Sequence, residues 1–472
     1  LERPPGLSAR VRSIAIEEQN PMVRSHAIRA LCALEESDAV DIVAPYLDHT
    51  DEAVRRGAMS GLLRFGGIEG TLAAGQYLLR LENSPLAGDR VFTADVLNDV
   101  GITSFYRPLL RLLRDDRHEV RLAALNAASR VRNPRLWPLM IQNLSEAQFS
   151  PYAAAALARA GEVALKPMRE VLNSDRHPRE IKMRAASICG RIAGAAAIIE
   201  LVAQLDEPDR GIRRAVLTAL HHCGYTATGV QVVDVRRMLR QEVADLAWSL
   251  SIALDMEGSP ACDLVARALK YEMTLTRHRC FLYLSFLYDA KTVLRAEENL
   301  AHSRSTQRAY ALEALEETIS RDLSRLVFPI FEWSRPADCY IALSESFPQV
   351  RGSREVRLRE LLNESSRWVS PWARASAIHA LSELGVADQE IIQAALESPD
   401  SVVQGAAILA SRRSGNGNTE EKGVGEMLLT IERVLVLKSV TLFDDVPEEV
   451  LAALSAEMEE VEVAADVAVY EK

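Results

Sequence analysis

The sequence predicts an all-α fold, an α-solenoid of about thirteen helical-hairpin repeats, followed by a small α/β fragment. Three observations predict it. One motif returns at steps of 29 to 35 residues, apolar residues between its copies recur at three and four, and the texture changes after residue 411. A fixed period of this length marks stacked supersecondary units, none of which can bury its apolar face alone.

The motif is plainest at Asp115-Asp116-Arg117-His118-Glu119-Val120-Arg121, which runs on into small residues and leucine. Taking the arginine as anchor, the series is 24, 55, 90, 121, 152, 184, 213, 245, 277, 308, 339, 374 and 404. The anchors are placed partly by their arginines, so the residue three places on is the fairer test. It is Ala, Ser, Thr or Cys in eleven of the thirteen copies, Val216 and Trp248 being the exceptions.

Residues 1–9 read as an extended lead-in, and repeats follow to residue 411. In each, a first helix is predicted ahead of the anchor, as in Pro108-Leu109-Leu110-Arg111-Leu112-Leu113 or Ile198 to Leu205, from apolar spacing of three and four. An acidic or proline turn comes next: Asp48 to Asp51, Asp206 to Asp209, Ser398 to Asp400. Asp and Ser there can accept the unpaired N–H groups at the start of the following helix. The anchor helix is second. Its small residues at +3 and +6 share a face, which lets a neighbouring helix come close. Between 230 and 300, and again between 320 and 360, aromatics such as Trp248, Phe281, Tyr283, Phe286 and Tyr288 replace small residues, so distorted repeats are expected there.

These residues resemble the HEAT family in its short form, the kind also seen in phycobilisome-lyase-like proteins. The Asp-x-x-Val-Arg pattern at Asp51 to Arg55 and the Val120-Arg121 copy carry the resemblance, which spans about residues 10–411. It implies a right-handed solenoid whose second helices line the concave side.

Arg412 to Gly423 lacks apolar periodicity and is rich in Gly and Asn, which predicts a flexible linker over 412–425. In the segment 426–472, Met427 to Val440 reads as helix, Pro447 opens another, and Val461 to Ala464 and Val467 to Tyr470 alternate like strands. The run Leu442-Phe443-Asp444-Asp445-Val446-Pro447-Glu448-Glu449 resembles the opening of a cyclic-nucleotide-binding domain. The resemblance implies that the phosphate-holding cassette would lie after Lys472, so no cofactor is expected in this chain and cyclic nucleotide only where that part is present.

Overall the chain is 48% apolar and 26% charged, an ordinary globular composition for 472 residues. It starts at Leu1 and is read as part of something longer. No apolar run reaches the roughly eighteen residues of a transmembrane helix; Ile192 to Leu205 is short and holds Glu200. The six cysteines are scattered singly, which reads as small core residues in a reducing, cytoplasmic setting, the cytoplasmic face of a membrane protein included. Residues 440–472 carry ten acids and one base, −9 of the total −11, leaving −2 for residues 1–439. A near-neutral solenoid disfavours general nucleic-acid binding, which phosphate neutralisation drives.

The anchor arginines Arg24, Arg55, Arg90, Arg121, Arg184, Arg213, Arg277, Arg308 and Arg374 read either as a basic stripe or as stacking residues paired with turn acids; the second reading is preferred. His221-His222-Cys223 is no metal site, since adjacent helical residues diverge by about 100°. Trp368 and Trp372 share a helix face and, with Trp333, could form an interaction surface, although packing is the simpler role. No phosphate loop, nucleophile elbow or zinc-protease motif is present. The expectation is a non-enzymatic protein-interaction scaffold, its partner another protein or another domain of its own chain, coupled to a cyclic-nucleotide-sensing module. Alternatives are the soluble part of a bacterial transporter resembling the ATP/ADP antiporters and, last, a HEAT-type lyase or DNA glycosylase.

Overall fold

The computed structural model describes residues 6–34, 38–301, 305–331, 335–363, 368–413, 429–443, 446–456, 458 and 461. Among them every regular element is a helix and no strand occurs. The chain forms two compact units, residues 1–207 with 211–224, and residues 208–210 with 225–472.

The first unit is a file of helix pairs. α1 (Leu7–Glu17) precedes α2 (Pro21–Ala33); α3 (Ala39–Val43) precedes α4 (Glu52–Phe65); α5 (Gly67–Glu82) precedes α6 (Ala87–Val100). α7 (Arg107–Leu112) and α8 (His118–Val131), α9 (Trp137–Gln142) and α10 (Ser150–Ala160), α11 (Leu165–Leu172) and α12 (Arg179–Ile192), and α13 (Gly194–Val202) and α14 (Arg210–His222) continue it. Each second helix packs on the next, α2 on α4, α4 on α6, α6 on α8, α8 on α10 and α10 on α12. The turns start these helices as their chemistry predicts. The Asp51 carboxylate accepts from the N–H groups of Ala53 and Val54, and Asn20 from those of Met22 and Val23.

Small residues set the spacing of the file. A Cβ at Gly61 would stand 3.1 Å from Cys32 Sγ, one at Gly57 2.5 Å from Ser25 Oγ, and one at Gly190 2.8 Å from Ala219 Cα. Gly61 and Ala219 are both six residues beyond an anchor. At three anchors, however, the structure moves the register. Tyr152 is 49% exposed, and Ser187 and Ala342, each three places past an anchor, are exposed as well. The buried faces there begin from Ser150, Lys182 and Pro336, which put Ala153, Ala185 and Cys339 in the core.

In the second unit two repeats of the stretch expected to be distorted depart from the hairpin. The repeats at 245 and 277 are unbroken helices, α15 (Val230–Met256, 27 residues) and α16 (Asp263–Leu287, 25 residues). Leu239 to Asp245 and Lys270 to Arg277 hold no Gly, Pro or Asn, so nothing stops the helix where a turn was expected. α15 and α16 pack lengthwise on each other. Next come α17 (Ala290–Ala301), α18 (Ser305–Thr318), α19 (Arg321–Phe331), α20 (Pro336–Ser344), α21 (Arg354–Leu362), α22 (Pro371–Glu383), α23 (Gln389–Leu396) and α24 (Ser401–Arg413). Packing order departs from chain order here, for α22 returns to α16, and α20 and α21 to α15. The expected aromatics are core: Trp248, Phe281, Tyr283 and Phe286 are buried, Phe281 stacked on Phe331 at 4.2 Å.

Arg412 and Arg413 complete the last turn of α24; residues 414–425 of the predicted linker lie outside the described residues. α25 (Thr430–Lys438) and α26 (Glu448–Ala456) follow. Their Ile431, Val434, Leu451 and Ala452 share a core with Trp372, Ile378, Val403 and Ala407. Except for Val461, the strand-like stretches at 461–464 and 467–470 lie outside the described residues.

Candidate interaction surfaces

Five of the nine anchor arginines reach turn backbone or turn acids. Arg90 donates to the Asp115 carboxylate through Nε at 2.7 Å and to Ser84 O at 2.7 Å. Arg121 takes Asp115 O and, at 2.7 Å, the Glu146 carboxylate. Arg213 donates to Glu207 O at 2.8 Å, and Arg24 to Ala15 O and Ile16 O at 3.0 Å. Three of them thus reach a carbonyl six residues back, and two reach an acid twenty-five residues on. Arg184 donates to Leu144 O. Several also lie over an aromatic ring of the following repeat: Arg24 over Tyr46 at 5.0 Å, Arg55 over Phe92 at 5.4 Å, Arg121 over Phe149 at 4.5 Å. In the second unit Arg277 lies beside the stacked rings of Phe281 and Phe331, 5.9 and 6.0 Å from their centres. Burial lowers its pKa, and the charge of Arg308 acts in the same direction. Arg308 is half-buried, and Arg374 lines a cavity of about 330 Å³ with Ile378, Ile391 and Val403.

Trp368 and Trp372 do not share an exposed face. Trp372 is 2% exposed inside the core, so its ring is unavailable to a partner. Trp368 is half-buried, 5.5 Å from the Arg210 guanidinium, and Trp333 lies outside the described residues. His221 and His222 tilt apart, their ring centres 5.9 Å from each other. No cluster able to hold a metal occurs among the described residues, and none of their helices is long and apolar enough to cross a membrane.

Sequence reasoning missed a buried charge network in the second unit. Arg279 donates to Glu242 at 2.9 Å, Glu272 at 3.0 Å and Thr276 Oγ1 at 2.7 Å, and Arg210 pairs with Asp245 at 2.7 Å and Glu272 at 3.5 Å. Arg279 and Glu242 are 1% and 0% exposed. Burial opposes the charge on Arg279, but the two carboxylates outweigh it and hold its pKa above the ordinary value. With its charges turned on one another and away from solvent, the network pins α15 to α16.

A surface open to a partner in the first unit is the ridge of its second helices. Counted from the corrected anchors, the ninth residue on is Ala33, Arg64, Asp99, Arg130, Arg159, Arg191 and His222; the fifth is Arg29, Ser60, Asp95, Asn126, Ala155, Ser187 and Thr218, of which Ser60 alone is buried. Residues at +1, +5 and +9 share a helix face. Toward α2 this ridge neutralises itself. Arg56 holds Asp99 at 2.8 Å and Asp95 at 3.1 Å, and Arg64 donates to Val100 O at 2.9 Å. The bond to Asp99 is the largest cause of the raised pKa of Arg56, and burial raises that of Asp95. Toward α14 the pattern changes. Arg159 meets only the neutral Asn126, and among the described residues Arg130, Arg191 and Arg214 make no ion pair. Between α12 and α14 the ridge opens into a groove of about 460 Å³ lined by Met183, Ser187, Arg214, Ala215, Thr218 and His222, with Glu180 at one end.

Residues 8–85 match the HEAT repeats family. No curated protein matches the chain. The protein therefore contains a HEAT-repeat region from α1 into the turn after α5, and the same pairing of helices runs on from it to α14.

Proposed function

We propose that the chain is a non-enzymatic scaffold whose first unit presents the ridge of α8, α10, α12 and α14 to an acidic, partly apolar segment of a partner protein. One observation carries the reading. Among the described residues Arg130, Arg191 and Arg214 make no ion pair along a ridge whose groove sets Met183 and Ala215 beside the polar Ser187, Thr218 and His222, whereas Arg56 and Arg64 at the other end are already satisfied. An acidic segment gains charge pairing without losing existing pairs, and apolar side chains between its acids find Met183 and Ala215. The anchor arginines support this role indirectly, by holding each hairpin against the next so that the ridge is rigid before a partner arrives.

The test is fluorescence anisotropy with a labelled peptide of alternating glutamate and leucine blocks, set against single-stranded DNA of equal charge. The peptide is expected to bind with salt-sensitive affinity, and the double variant Arg191→Glu, Arg214→Glu to weaken it at least roughly tenfold, about 1.4 kcal/mol. Equal binding of the DNA, or a peptide affinity untouched by the variant, rejects the proposal.

Coupling to a cyclic-nucleotide-sensing module in the intact protein is the finer part of this reading. What supports it is the resemblance around Leu442 to Glu449, together with the seating of α25 and α26. Arg267 pairs with Glu448 at 2.6 Å, so movement after α26 would strain a packed core. Hydrogen exchange in α22 and α24 of the intact protein, with and without cyclic AMP, tests it; unchanged exchange removes the coupling.

A further inference from the structure

A second surface lies on the opposite layer of the first unit. On α5, Ile68, Leu72 and Leu79 are 82%, 64% and 59% exposed. With Gly75 they fall at i, i+4, i+7 and i+11, a single line along the helix. The other side of α5 is fully used, since Ala74 and Leu78 are buried and Gly70 lets α4 approach, where a Cβ would stand 2.8 Å from Leu62 O. Gly75 has no such reason within the chain. A Cβ there would meet nothing within 4 Å, and glycine inside a helix costs about 1 kcal/mol against alanine. A glycine between leucines on an open helix face is what close approach by an outside helix requires.

We propose that α5 is a self-association surface, on which a second copy of the chain lays its own α5 antiparallel about a two-fold axis near residues 73–74. The spacing 4-3-4 reads the same from either end, so Ile68 meets Leu79 of the second copy and Leu72 sits over its Gly75. The charges agree as well. Glu69 near the start of α5 and Arg80 near its end lie on the same flank of the stripe, and antiparallel pairing brings the acid of one copy toward the base of the other. Arg80 is 68% exposed, with Asp48 at 3.6 Å and the Tyr77 ring at 4.8 Å as its neighbours. The helix dipoles also oppose. One helix face is small against the roughly 800 Å² per partner of a standard interface, so the dimer is weak, with a dissociation constant on the order of micromolar.

Sedimentation equilibrium of the whole chain over a concentration series tests this. A monomer–dimer equilibrium is expected, and Leu72→Glu abolishes it while leaving helical circular dichroism unchanged; Ile68→Glu, at a still more exposed side chain, repeats the result. Gly75→Leu weakens association without destabilising the monomer. A mixture of I68C and L79C chains forms an interchain disulfide that I68C alone does not. A chain that stays monomeric, a dimer that survives Leu72→Glu, or cross-linking of I68C with itself overturns the proposal.

Discussion

Asp115 joins two repeats with one carboxylate. It accepts from Arg90 at 2.7 and 3.0 Å and from the N–H of Arg117 at 3.0 Å. Burial opposes its ionisation, but Arg90 and the Arg117 N–H outweigh burial and keep its pKa below the usual carboxylate value. A depressed folded-state pKa gives stability that is present above the unfolded value near about 3.9 and lost as pH falls through the folded one. Asp115→Asn is therefore expected to cost about 1–2 kcal/mol at neutral pH, and the gap from the parent to shrink as urea melts are repeated toward pH 3. A gap independent of pH would mean that the charge does not matter. In the second unit Arg279→Met removes the cation that the buried Glu242 and Glu272 share, leaving Glu272 the more distant Arg210, a loss of roughly 3–5 kcal/mol in the same assay. The sequence showed the anchor arginines and the turn acids that Arg90 and Arg121 use. It could not show the carbonyls taken by Arg24, Arg184 and Arg213, because a carbonyl is common to every residue. Nor could it show the buried network, since Glu242 and Glu272 look like surface acids until α15 and α16 meet.

Helix spacing depends on a few small residues, and Gly190 tests that most directly. A side chain there meets the Ala219 backbone, which cannot swing away as a flexible side chain would. Gly190→Val is expected to part α12 from α14 and lower stability by about 1–3 kcal/mol, read as a drop in Tm with helical content retained. No change in Tm would show that the two helices have slack between them. The same close packing explains where the sequence misled. In Ala153 to Ala160 nearly every residue is small, so a register two residues off satisfies the pattern equally well. At α12 the arginine used as marker, Arg184, stands two places from Lys182, where the buried face begins, and still reaches Leu144 O because its side chain is long. The fused helices were legible in principle. The stretch from Leu239 to Asp245 lacks the turn residues that Asp206 to Asp209 supply, but their absence is a weaker mark than their presence.

At the scale of the molecule, the period alone disclosed the stacked helices of the first unit, whereas the ridge did not emerge until burial had set the register. Only then do Arg64, Arg130, Arg159 and Arg191 fall into one column. The second unit was less legible, because its packing order departs from its chain order: α22 returns to α16 across more than three helices of intervening chain. The two modes of packing predict different stability profiles. In the first unit most packing is between neighbouring pairs, so stability is close to a sum of nearest-neighbour terms and is lowest where least is buried. α1 buries only Ala15, while α8 buries Val120, Ala123, Ala124, Leu125 and others between α6 and α10. Amide exchange of the whole chain should therefore be fastest in α1, slower in α2 and slowest from α4 through α10. In the second unit α15 and α16 touch most other elements and enclose Arg279, Phe281 and Phe286, so protection should peak on these two helices and fall toward α18. Equal protection from α1 to α10 would mean that the file opens as one block, and the nearest-neighbour account of its stacking would be wrong.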